Sequence, residues 1–259
     1  MGKSQKPFDW DNLDTMLSIK KGNASLAETF RRSWWCWARL QLAYYFGELE
    51  VADKIYYPFL KFSAVDKSYI VTSMRVFFSG LAASGLYRTT GKRMYRNRAR
   101  EMIKDMEKMM SSKRGLNNLH RYFLMQADLM ACSSSKSGEK QHTVKVAFDK
   151  AIAMAGKAGF RQDAALGNEL AGEYLLTTRE DNKFWTEFYF SRAYDLYKEW
   201  GADAKADQLK TKRGDSIKDF ICNRNANTST RLRRLVSGDD SFMHESVNSS
   251  SVFAVSGAS

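Results

Sequence analysis

The sequence predicts an all-α fold, a solenoid of antiparallel helix pairs followed by a disordered tail. Three observations predict it. Only two prolines, Pro7 and Pro58, occur in 259 residues, so little removes a backbone donor or forces a helix to stop. Apolar residues recur at steps of three and four along most of the chain, the period of one helix face. No strand pattern intervenes between the helical segments.

The first helix is expected over about Leu26–Phe46, where the run Trp34-Trp35-Cys36-Trp37 implies burial on more than one side. A second, from Glu48 to about Phe62, places Ala52, Ile55, Tyr56 and Phe59 on one stripe, and Pro58 should kink or shorten it. A third, about Lys67–Tyr87, carries Ile70, Met74, Phe77, Phe78, Leu81 and Leu86, with Gly80 and Gly85 allowing close helix approach. The fourth, about Lys92–Ser111, has a seam of Tyr95, Ala99, Met102, Met106 and Met109 or Met110. Arg96, Arg100, Lys104 and Lys108 form an i, i+4 row elsewhere on it.

Leu119, Phe123, Ala127 and Met130 mark a fifth helix, closed by the polar loop Ser133–Gly138. A sixth carries Val144, Phe148, Ala151, Ile152 and Ala155 and stops at Gly156 and Gly159. The seventh aligns Leu166, Leu170 and Tyr174 beside Gly167 and Ala171. The eighth runs through Trp185, Phe188, Tyr189, Ala193, Leu196, Tyr197 and Trp200 to Gly201, and a short ninth follows through Ala206 and Leu209. The domain so defined covers 24–221. Residues 1–23 are expected to be flexible, although Phe8, Trp10, Leu13 and Leu17 could dock on the first repeat as a cap. Residues 222–259, rich in Ser, Asn and Gly, are expected to be disordered.

Helices joined by short turns in this way are the signature of helix-pair repeats. The pair Asp163–Trp200 resembles a tetratricopeptide repeat: Leu170-Ala171 and Tyr174 match its first helix, Phe190 and Ala193 its second. The turn is about three residues longer than usual, and Thr186 stands where alanine is expected. A longer resemblance covers roughly Phe30–Lys212, carried by Leu116–Leu124, Ala165–Tyr174 ("ELAGEY") and Ala193–Lys205 ("WGADAK"). These stretches resemble the helical region of large multidomain signalling proteins of cyanobacterial type. In that family the region lies between a serine/threonine-kinase-like domain with an ATPase module and C-terminal GAF and histidine-kinase domains. The resemblance implies a linker-scaffold without catalysis, with a signalling kinase or ATPase assembly as partner. The neighbouring domains of that family are not in this sequence, which leaves open whether it is a free-standing copy or a fragment of a longer gene product.

Composition narrows the function classes. The aromatic run is closed off by Arg31, Arg32 and Arg39, so no stretch reaches the roughly 18 consecutive apolar residues of a membrane span. The N-terminal segment has no apolar h-region, and an intracellular, cytoplasmic location is expected. Cys36, Cys132 and Cys222 are odd in number and far apart, which favours plain thiols over disulfides or zinc ligation. Gly80–Gly85 has phosphate-loop spacing, but Leu86 and Tyr87 stand where Lys and Ser or Thr must contact phosphate and magnesium. His120, His142 and His244 are dispersed. No catalytic, cofactor or metal site is nominated, and the protein is expected not to be an enzyme.

Charge carries the functional expectation. Lys and Arg total 41 against 29 Asp and Glu, a formal +12, with a pI near 9.5. Much of the excess lies between Arg88 and Arg121, and Arg96, Arg100, Lys104 and Lys108 are the candidate partner-binding residues. They would meet an acidic protein segment, a phosphorylated peptide, RNA or an anionic surface. The plainer reading is a solvated face, offset by Glu101, Asp105 and Glu107. Aromatic residues fall at core spacing, not between the basic residues, so nucleic acid ranks behind a protein or peptide partner. Ser237, downstream of Arg231, Arg233 and Arg234, is a candidate phosphosite.

Overall fold

The computed structural model describes residues 25–63, 69–111, 117–133, 138–178 and 182–227. Among them nine helices follow in order: α1 (Leu26–Tyr45), α2 (Leu49–Ser63), α3 (Tyr69–Thr90), α4 (Arg93–Met110), α5 (Leu119–Ser133), α6 (Gly138–Lys157), α7 (Arg161–Leu176), α8 (Lys183–Trp200) and α9 (Asp203–Asn227). Ser25 caps α1, its Oγ accepting the Glu28 N–H at 3.2 Å. Ser-Leu-Ala-Glu is the sequence of a capping box. At the far end of α8, Gly201 adopts φ 82° and its N–H returns to Lys198 and Tyr197 carbonyls, a left-handed stop that a side chain would strain.

Two elements differ from the sequence expectation. Helix α2 continues through Pro58 without shortening. The carbonyl that loses its donor belongs to Lys54, an exposed residue, where water can serve it. Helix α9 is long instead of short and runs into the segment expected to be tail. It breaks at Arg213, where φ −134° and ψ 23° leave the helical region. Ser237 and the rest of 228–259 lie outside the described residues, as do 1–24 and the loop residues 134–137.

Consecutive helices pack as antiparallel pairs, α1 with α2, α3 with α4, α5 with α6 and α7 with α8, and α9 packs against α8. The odd helices also touch one another in succession, α1 to α3, α3 to α5 and α5 to α7. The result is an inner layer of odd helices and an outer layer of even ones, as expected of a helical repeat. Between them lies one core that includes Leu40, Ile55, Phe59, Phe77, Phe78, Leu81, Met106, Phe148, Phe190 and Tyr197, all but fully buried.

Small residues set the helix spacing. A Cβ at Gly80 of α3 would lie 3.0 Å from Cβ of Met102 on α4, and one at Gly85 would lie 2.8 Å from Leu49 Cδ1. The phosphate-loop spacing is thus a pair of packing contacts inside a helix. At Gly172 a Cβ would come within 2.9–3.1 Å of three ring atoms of Phe190, a side chain with no exposure and no room to retreat. Gly172→Ala is expected to lower unfolding free energy by about 1–2 kcal/mol, as overpacking outweighs the helical gain of alanine. Urea denaturation measures it, and a stabilised variant would refute the close approach.

Helix α3 holds a feature the sequence reading passed over. Residues Ile70–Thr90 are long and apolar enough to span a bilayer by length and composition, with mean hydropathy 1.2, yet 78% of that window is buried inside the protein. Its apolarity is that of a central core helix.

Candidate functional site

The odd helices enclose a cavity of about 780 Å³. All five contribute: Tyr44 and Tyr45 from α1, Tyr87 and Arg88 from α3, Ala131 and Cys132 from α5, Leu166 to Tyr174 from α7, and Lys205, Gln208 and Lys212 from α9. Helices α1, α3, α5 and α7 present their C-terminal halves here. Their last carbonyls carry partial negative charge, and the basic side chains of the cavity answer it.

Lys205 is the clearest case. Its ammonium, 6% exposed, donates to the Tyr45 carbonyl at 2.7 Å, to Glu169 Oε1 at 2.8 Å and to Gln208 Oε1 at 2.8 Å. Gln208 in turn donates to the Phe46 carbonyl at 3.2 Å. Helix α9 therefore caps α1 across 160 residues of sequence. Tyr197 donates to the other oxygen of Glu169 at 2.8 Å. Burial first, and then the Glu169 charge, hold its phenol far above the ordinary range. The first and last described helices are clasped, and the Tyr45 and Trp200 ring centres are 6.0 Å apart.

Arg88, backed by Asp128, stands on the opposite wall. Arg88 pairs with Asp128 Oδ1; the carboxylate is 2% exposed and the guanidinium 39%, so one partner is anchored and the other reaches the cavity. Burial lifts Asp128 above the usual carboxylate range, against the pull of Arg88. Cys132 donates to the Ser84 carbonyl at 3.3 Å. Burial, then the Asp128 charge, push its thiol up to about 12, which leaves it a thiol and a poor nucleophile at neutral pH. At the rim Arg213 grips Glu173 with two bonds of 3.1 and 2.6 Å, and Lys212 adds a third contact at 2.9 Å. Burial raises the Glu173 carboxyl, but these bonds outweigh it and hold the group below its ordinary value.

The four basic residues expected to form a face make a slowly turning row. They lie on α4, in the outer layer and away from the cavity. A four-residue step advances about 40° around a helix, so Arg96 and Lys108 point roughly 120° apart. Arg96 is half-buried, its guanidinium 5.9 Å from the Tyr87 ring centre. Arg100 and Lys104 are exposed, and Lys108 pairs with Asp105 at 3.2 Å in solvent.

Several charged residues that matter were not singled out by sequence. Arg98, 7% exposed, bridges α4 to α2 by pairing with Asp53 and donating to the Tyr57 hydroxyl at 3.0 Å. Asp163 receives His120 at 2.7 Å and Arg121 at 2.8 Å, and Phe160 stacks 4.4 Å from His120. This His–Asp pair has the spacing of a catalytic dyad, but both side chains are at most 2% exposed. It ties α5 to α7. Among the described residues no group of three or more His, Cys, Asp or Glu side chains is arranged to hold a metal ion. Comparison with protein families, with curated proteins and with solved structures finds no match for this chain.

Proposed function

We propose that this protein is a non-catalytic interaction module, a scaffold that holds a peptide or protein segment in the cavity of the odd helices. One observation carries the reading: a space of about 780 Å³ lined by all five inner helices, the place where helix-pair repeats take their ligands. Its apolar lining, including Leu49, Leu166 and Leu170, suits partner side chains. The charged groups Arg88, Glu173 and Lys212 suit polar backbone or an ionic anchor. A role in signal transduction, inside the cell and with a kinase or ATPase assembly as the context, is the part of this proposal that rests on the sequence resemblance to the helical region of multidomain kinase signalling proteins.

Nucleic-acid or anionic-surface binding through 88–121 is the second reading, favoured by the exposure of Arg100 and Lys104. It ranks second because the aromatic residues do not interleave with the basic ones as a base-stacking platform would.

Affinity capture from native lysate with the full chain separates the two. Three baits serve: the wild type, a cavity variant (Leu170→Arg with Tyr87→Glu) and an outer variant (Arg100, Lys104 and Lys108 all changed to Glu). A protein partner that survives nuclease and drops at least about tenfold in the cavity variant, a loss of roughly 1.4 kcal/mol, is expected. Recovery of nuclease-sensitive nucleic acid alone, or a cavity variant that captures as well as wild type, would overturn the proposal.

A further inference from the structure

The cavity keeps its carboxylates covered and leaves donors free. Among the described residues, Glu169 takes Lys205 on one oxygen and Tyr197 on the other. Glu173 takes Arg213 on both oxygens, with Lys212 on Oε1 as well. An ammonium has three donors, and Lys205 uses all of them on Tyr45, Glu169 and Gln208. Two other cations of the lining are not used up in this way. Lys212, half exposed, meets Glu173 at 2.9 Å and keeps two of its three donors. Arg88 gives a single bond to a carboxylate, from Nη2 to Asp128 Oδ1. The Cys132 sulfur beside it is a weak acceptor at most.

As a structural strut the Arg88–Asp128 pair is poorly made. Asp128 is buried and its Oδ2 has no hydrogen-bond partner, a costly arrangement for a carboxylate, while the guanidinium it holds faces the cavity. A guanidinium has two edges that can each take an oxyanion with paired bonds, and one bond from Nη2 leaves the other edge whole. The buried carboxylate thus fixes Arg88 in place without consuming it. The balance of charge points the same way. Arg88 with Asp128 and Lys205 with Glu169 cancel, whereas Lys212 and Arg213 both face the single carboxylate of Glu173. Four cations meet three carboxylates, one net positive charge. Resting on the reading of the cavity as a peptide site, we propose that the bound segment is anchored by an anionic group, a carboxylate or a phosphate. Arg88 grips that group with its free edge and Lys212 attracts it, while neighbouring apolar residues of the segment lie against Leu49, Leu166 and Leu170.

Synthetic peptide arrays probed with the labelled full chain test it, with Kd taken by fluorescence anisotropy for the tightest sequences. Each randomised, leucine-rich sequence is made in four matched forms. Three are amidated and carry a central Glu, phosphoserine or Gln; the fourth carries the Gln and a free C-terminal carboxylate. The best anionic form is expected to bind at least about tenfold more tightly than the amidated Gln form, and which one leads identifies the source of the charge. Exchanging Glu for Gln in the peptide leaves the protein fold untouched. Arg88→Gln combined with Asp128→Asn strands no buried charge and should abolish the preference, while Arg88→Lys, which keeps the charge but not the fork, should retain part of it. Peptides that bind the wild type and are lost in the Leu170→Arg, Tyr87→Glu variant, yet show no anionic preference, overturn the anchor and leave the cavity reading standing. A preference that survives the loss of Arg88 does the same. Binding indifferent to the Leu170→Arg, Tyr87→Glu change, or no binding in any form, overturns both.

Discussion

Replacing Lys205 with methionine is expected to lower the unfolding free energy by about 3–5 kcal/mol, the effect of removing one partner from a buried ion pair. The methionine fills the space but returns no proton donor. Glu169 keeps only the Tyr197 hydroxyl, and the Tyr45 carbonyl loses its 2.7 Å bond at the end of α1. For a domain of this size each kcal/mol moves the melting temperature about 2–4 °C, so calorimetry resolves the change easily. Glu169→Gln tests the same pair from the other side. If the two groups act on each other, the double variant loses less than the sum of the singles, by about 0.5–3 kcal/mol. Hydrogen exchange gives the sharper readout. In an open solenoid, stability is a sum of nearest-neighbour contacts and a change in the last helix leaves the first untouched. Here the Lys205 variant should speed exchange at the C-terminal amides of α1. Unchanged exchange there would show that the clasp couples nothing.

The second large effect is expected at Asp163. Asp163→Ala leaves Arg121, 5% exposed, without its 2.8 Å carboxylate bond, and leaves His120 without its 2.7 Å partner. It also removes the acid of the first turn of α7, where a negative charge favours the helix dipole. A loss of about 3–5 kcal/mol follows from the stranded cation. Asp163→Asn keeps an acceptor for Arg121 and should cost less than the alanine. Denaturant midpoints at constant m-value measure both. An alanine variant within 1 kcal/mol of wild type, on the scale of a surface substitution, would mean that solvent reaches Arg121.

The helices were legible because their signals are local. Apolar steps of three and four, the scarcity of proline and glycines such as Gly201 set where each begins and ends. The bounds of α1, α4 and α8 lie within a residue or two of those read from sequence. What stayed hidden was the polar framework. Periodicity assigns charged residues to the surface, so Lys205, Glu169, Asp163, Arg121 and Arg98 read as solvent-facing. Their partners lie 28 to 160 positions away, a separation at which spacing says nothing. The basic row was legible as a regular step: Arg96, Arg100, Lys104 and Lys108 follow one another at every fourth position of α4 and turn slowly around it. None of the charged residues of the cavity was nominated, since each is defined by a contact between odd helices. Helix α9 was read as short because, after Ala206 and Leu209, its next buried apolar residue is Ile217, beyond the polar run 210–216.

The clasp between α9 and α1 has a consequence in time. A ribosome adds about 5–20 residues per second, so the 160 residues from Tyr45 to Lys205 take roughly 10–30 s to appear. Throughout that interval α1 exists on the nascent chain with its terminal carbonyls open to water and the Tyr45 ring without its Tyr197 and Trp200 neighbours. Of the described helices, the first made is among the last to be finished. A stalled or truncated product ending before residue 197 therefore exposes that aromatic end, which sets an incomplete copy apart from a finished one.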